Sequence, residues 1–116
     1  MATVLGTSAR AQSVEYRSAA GVVFRAEPDT GPVALAARAL AAEPRNAERF
    51  LALGLAQAGA RQYREAIDTF TRGLEVAPND ARFYRWRGHR HLSVGEFDRA
   101  LDDLTRGSRL DSAMYG

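Results

Sequence analysis

His89, His91 and the adjacent acids Asp102 and Asp103 are the residues of this sequence best equipped for chemistry. An imidazole pair could ligate a metal, and paired carboxylates could exchange a proton. The spacing argues against both. Residues two apart on a helix do not face each other, and adjacent helical acids diverge, so a solvated face is the simpler reading. The chain has no cysteine, which removes a thiolate nucleophile, a disulfide framework and a thiolate zinc site. It also lacks GxSxG, HExxH and a phosphate-cradling glycine loop. The sequence therefore reads as non-enzymatic, without a metal or a cofactor.

The most unusual local stretch is "RFYRWRGHRH", residues 82–91. Arginines interleaved with Phe83, Tyr84 and Trp86 resemble the stacking platforms of single-stranded nucleic-acid binders. On a helix, however, Arg82, Arg85 and His89 form one stripe, and Tyr84, Gly88 and His91 turn inward. Arg87 falls at a normally apolar position and needs an acidic partner, for which Asp102 or Asp103 is the candidate. All 16 basic residues are arginine, yet the net charge is only +2. That gives no global field for nucleic acid, and a structural or peptide-binding role for the stretch outweighs it. The absence of lysine and the wealth of alanine fit coding bias, with a bacterial source as the expectation.

The elements that position these residues follow from self-similarity. Displaced by 34 residues, Gly54 falls on Gly88, Tyr63 on Phe97, Ala66 on Ala100, Phe70 on Leu104 and Gly73 on Gly107. Each repeat holds two helices. The spacing predicts a first helix from Ala47 to about Gly59 behind an Asn46 cap, and a second from about Tyr63 to Val76. Ala77-Pro78 ends it. The second repeat has an Asp80 cap, a helix to about Ser93, a turn at Gly95, and a helix from Phe97 to about Leu110. Glycine inside a helix costs about 1 kcal/mol relative to alanine, so Gly54 and Gly88 predict close helix contacts. Ala66 and Ala100 would be the matching small residues, with Tyr63 and Phe97 filling the space beside them.

Phe50, Leu53, Gly54, Tyr63, Ala66, Phe70 and Pro78 in the first repeat, and Tyr84, Gly88, Phe97, Ala100 and Leu104 in the second, carry a resemblance. The sequence resembles the tetratricopeptide repeat (TPR) family. It departs from the family pattern at Gln57, Gly73, Arg87, His91 and Ser112. The resemblance implies an all-α, TPR-like α-solenoid of antiparallel helix pairs, about two and a half repeats long. It also implies a concave groove that accepts a peptide or partner protein. Carried over by position, the groove comprises Leu51, Leu55 and Ala58, then Arg82, Arg85, His89 and Ser93, with Trp86 near the rim. An apolar half beside a basic half suits a ligand with a hydrophobic side chain and an acidic or C-terminal carboxylate group.

Residues 47–80 and 81–114 are thus expected as full repeats, and residues 29–46 as a half-repeat helix capped by Asp29 or Thr30. Residues 115–116 would start a further repeat. Residues 1–28 read as a disordered or extended tail. Tyr16 and Ala20 sit in repeat register, but Gly21 followed by Val22-Val23-Phe24 favours extended over helical structure for residues 13–26. Ala9-Arg10-Ala11 has the form of a signal-cleavage remnant, leaving a cytoplasmic or an exported location open. No run is long enough for a membrane span. With no capping helix after Leu110, the helix carrying Phe97, Leu101 and Leu104 lacks an outer neighbour. Self-association through it is the alternative function to groove binding.

Overall fold

The structure is a computed structural model that describes residues 14–17, 23–25 and 31–115. The expectations for the Ala9–Ala11 site, the Asp29 or Thr30 cap, Ala20 and Gly116 lie outside those residues. Strands β1 (Val14–Arg17) and β2 (Val23–Arg25) pair antiparallel, with an irregularity between Val14 and Tyr16. Five helices follow: α1 (Gly31–Ala42), α2 (Ala47–Gly59), α3 (Tyr63–Val76), α4 (Ala81–Ser93) and α5 (Phe97–Tyr115). Each helix packs on its sequence neighbour, and α2 also touches α4. Short connections make neighbouring helices antiparallel. The helices form an all-α solenoid, with α2–α3 and α4–α5 as the repeated hairpins.

Local chemistry sets the ends. Asn46 Oδ1 accepts from Glu48 N–H at 2.9 Å, and Asp80 Oδ1 accepts from Arg82 N–H at 3.1 Å, satisfying orphan amides of α2 and α4. Pro32 sits in the first turn of α1, where its missing N–H costs no hydrogen bond. Both hairpin turns use the same exit. Gln62 N–H donates to Gln57 C=O at 2.8 Å and Glu96 N–H donates to His91 C=O at 2.9 Å. The residue before each donor is left-handed, Arg61 at φ 62° and Gly95 at φ 80°. This is the Schellman closure of a helix.

The core runs from Val33 and Leu40 through Phe50, Leu53, Ala66, Phe70 and Leu74 to Phe83. The repeat glycines sit where helices meet. A Cβ on Gly54 would enter the Phe70 ring, and one on Gly88 would lie 2.9 Å from Leu104 Cγ. Ala66 and Ala100 are buried as expected. Cation–ring contacts also repeat: Arg72 stacks over Phe50 at 5.2 Å, and Arg106 over Tyr84 at 5.7 Å.

Two expectations need correction. Helix α5 does not stop near Leu110 but continues through Tyr115, leaving no turn at the repeat boundary before residue 115. Ser112 keeps the amide and φ freedom that Pro78 lacks at the same register. Phe97, expected to fill the space beside Ala100, is 63% exposed. Its counterpart Tyr63 is covered by the Arg90 guanidinium at 5.4 Å, and no described helix supplies that cover to Phe97.

Phe83 escaped the repeat argument altogether. It is fully buried, and its ring meets that of Phe70 edge-on at 6.2 Å. Its register partner is Arg49, an exposed residue, so periodicity gives no hint of it. The available signal was Gly73. A Cβ there would collide with the Phe83 ring, so glycine makes the hole into which α4 drops its aromatic.

Candidate binding face

Helices α2 and α4 meet along one side of the stack. Arg82 bridges them. Its guanidinium donates to Glu48 Oε1 at 2.6 Å on α2, and to Asp80 Oδ1 and Oδ2 at 3.0 and 2.8 Å. Glu48 and Arg82 are themselves 34 residues apart, so the ladder joins equivalent positions of successive repeats. The side-chain hydrogen bonds from Arg82 hold the Asp80 and Glu48 carboxyls below their usual range, and those bonds raise Arg82 in turn. Four of the five Arg82 N–H donors are thus engaged.

Arg85 is held differently. Among the described residues its ion pairing is a single contact to Asp111 on α5 at 3.2 Å, and both side chains are nearly half exposed, at 45% and 44%. The two arginines share a cleft of about 580 Å³ with Asn79, Asp80, Leu110 and Asp111. Further along α4, the Trp86 and His89 rings lie 5.9 Å apart. Ser93 Oγ donates to His89 C=O at 3.2 Å. On α2, Leu55 is exposed and Ala58 half-buried, whereas Leu51 is buried in the core. Leu51 thus belongs to the packing around the helix pair rather than to an open floor.

Behind this face lies a buried polar cluster. Arg87 Nε and Nη2 donate to Asp103 Oδ2 and Oδ1, both at 2.8 Å. Asp103, not the exposed Asp102, is the partner. The fork leaves Arg87 more firmly protonated than a free arginine, because the Asp103 hydrogen bonds outweigh its partial burial. His91 is buried, with Nδ1 2.8 Å from Glu96 Oε1 and Nε2 3.6 Å from Asp103 Oδ2. Partial burial opposes the Glu96 charge, but hydrogen bonds from His91 and Arg64 and the charges of Arg64 and Arg99 prevail and lower its pKa. In the first repeat the same register holds Leu53, Gln57 and Thr69, where Thr69 Oγ1 donates to Gln57 Oε1 at 2.6 Å. A neutral link between the two helices of one hairpin thus becomes an ionic one in the next.

His89 is exposed and His91 buried, so the two imidazoles diverge as their spacing requires. Among the described residues no group of three or more His, Asp or Glu could hold a metal ion. The arginines of residues 82–91 are largely committed internally: Arg82, Arg85 and Arg87 to carboxylates, and Arg90 to the Tyr63 ring. Little cationic surface is left for a phosphate chain. No described helix is long and apolar enough to cross a membrane.

Stacked helical hairpins of this geometry have solved counterparts. MamA, in the structure described as MamA MSR-1 C2, superposes with a TM-score of 0.68 at 27% identity, covering 71% of this chain and 47% of that one. The fold is a tetratricopeptide-type α-solenoid. A second MamA structure, 19% identical with a TM-score of 0.68, shares the fold. In sequence, the solenoid is 33% identical over 70 residues to DnaJ homolog subfamily C member 7 of Mus musculus, covering 60% of this chain and 14% of that protein. It is 29% identical over 65 residues to small glutamine-rich tetratricopeptide repeat-containing protein 2 of Mycosarcoma maydis, covering 56% of this chain and 18% of the relative. The solenoid spans about half the length of the MamA chain and a small part of these curated relatives. No family model matches it.

Proposed function

We propose that this chain is a tetratricopeptide repeat protein serving as a non-catalytic interaction scaffold, with a peptide or partner protein seated along the α2–α4 face. The observation that carries the reading is the contrast between the two arginines. Arg82 makes four hydrogen bonds, to Glu48 and Asp80, and acts as a strut. Arg85 rests on one exposed, exchangeable contact to Asp111, and exposed pairs of this kind hold little energy. A ligand carboxylate can therefore displace Asp111 and gain a charge-assisted hydrogen bond. Leu55, Ala58 and the Trp86–His89 pair supply an apolar strip for the neighbouring side chain.

The likeness to a protein named for its tetratricopeptide repeats and to a DnaJ homolog supports an interaction role. The test begins by recovering a partner on the intact protein and repeating the titration with Arg85→Glu and Leu55→Asp. Binding should weaken by about tenfold or more for each, with the helical CD spectrum retained. Unchanged binding by both variants would refute the α2–α4 face as the site.

A further inference from the structure

The internal repeat shows how a helix docks on this solenoid, because α4 is already docked on α3. Phe83 drops onto Gly73 against the edge of Phe70. Four residues later, Arg87 Nη1 donates to Thr71 Oγ1 at 3.1 Å. Three residues beyond that, Arg90 covers the Tyr63 ring. Advanced by one repeat, the receiving residues Gly73, Thr71 and Tyr63 become Gly107, Thr105 and Phe97. These lie on α5; no described helix covers Thr105 or Phe97, and Gly107, buried on one side against Ala81, Tyr84 and Arg85 of α4, borders an open cleft on the other. Phe97 and Leu101 on this face are 63% and 65% exposed.

The seat for the anchoring ring is an open cleft of about 290 Å³ formed by Arg85, Leu104, Gly107, Ser108, Asp111 and Ser112. The same register in the first repeat reads Leu51, Phe70, Gly73, Leu74, Ala77 and Pro78, the apolar surroundings that Phe83 requires. The second seat keeps the small floor at Gly107 and one apolar wall at Leu104. It replaces the rest with two hydroxyls and the Arg85–Asp111 pair. Burying a phenylalanine there would strand polar groups. A tyrosine would not, because its ring can lie against Leu104, beside Gly107, while its hydroxyl donates to Asp111. Charge around the remaining face points the same way. Asp98 and Asp102 flank Leu101, are exposed, and have no ion-pair partner among the described residues.

We infer that the outer face of α5 is a docking site for a basic amphipathic helix of a partner protein. The helix is anchored by a tyrosine in the Gly107 cleft, with cationic side chains four and seven residues further on, over Thr105 and Phe97. This surface is distinct from the α2–α4 face, although the Arg85–Asp111 pair borders both.

The probe is a fluorescein-labelled helical peptide with a tyrosine, arginines four and seven residues later, and leucine and alanine elsewhere on that side. Fluorescence anisotropy against the whole chain should show saturable binding. Tyrosine to alanine in the peptide should weaken it by about tenfold or more, and tyrosine to phenylalanine by about fivefold. Leu101→Glu in the protein, at an exposed position that leaves the fold intact, should abolish binding. Leu55→Asp should leave it unchanged, which separates this site from the α2–α4 face. Absence of saturable binding, equal binding of the alanine peptide, or equal binding by Leu101→Glu overturns the inference. Self-association of the peptide-free protein in sedimentation, abolished by Leu101→Glu, would assign the face to a second copy and overturn it too.

Discussion

Gly54 and Gly59 stand five residues apart in one helix and have opposite surroundings. A methyl at Gly54 runs into the rigid Phe70 ring, whereas a methyl at Gly59 meets nothing within 4 Å. Gly54→Ala should therefore destabilise by about 2 kcal/mol through overpacking. Gly59→Ala should be neutral or stabilising by up to about 1 kcal/mol, since alanine has the higher helix propensity. Urea midpoints of the two variants check the contrast. The glycine at each close approach was legible in the sequence because it recurs at a fixed displacement. The exposure of Phe97 was not, since periodicity groups residues on a face without saying whether a neighbour covers that face. Phe83 was invisible for a related reason: it fills a contact between repeats, and the residue at its register on α2 is Arg49, which stays exposed and pairs with Glu43.

At the level of single helices, Asp80 has two tasks. It caps α4 and anchors the Arg82 strut. Its carboxyl is held below the usual aspartate range by the Arg82 hydrogen bonds. A carboxyl depressed by folding contributes its stability above its unfolded pKa and loses it as pH falls through the folded value. Stability should accordingly decline below about pH 4. Asp80→Asn retains a capping oxygen but cannot titrate, so its urea midpoint should start lower at neutral pH and depend less on acid. A variant with the same acid dependence as the parent would show that other carboxyls dominate. The cap was readable from residue type and position alone. The strut was not, because an arginine two residues into a helix has many possible acceptors and only the stacking of α4 on α2 selects Glu48.

Over the whole molecule, the helices touch sequence neighbours and, through α2 and α4, one step further. A stack of this kind is held by the sum of its neighbouring interfaces. Phe83 is central to the α3–α4 interface, so Phe83→Ala should cost about 3–5 kcal/mol as a buried aromatic deletion. It should also uncouple the hairpins. Amide exchange in α4 and α5 would rise above that in α2 and α3, where a single protection level would count against an interface-by-interface architecture. Phe97→Ala, at an exposed ring, should stay within about 0.5 kcal/mol of the parent.

The two hairpin turns bend through the same left-handed backbone, yet one places an arginine there and the other a glycine. For an L-residue with a side chain that conformation costs roughly 1–2 kcal/mol, and glycine escapes the cost. The first hairpin therefore carries an unrelieved torsional load that its sibling has shed. Replacing Arg61 by glycine should raise the melting temperature by a few degrees, about what 0.5–1 kcal/mol gives in a domain of this size. The chain thus holds in its own second half the template for a sturdier first half.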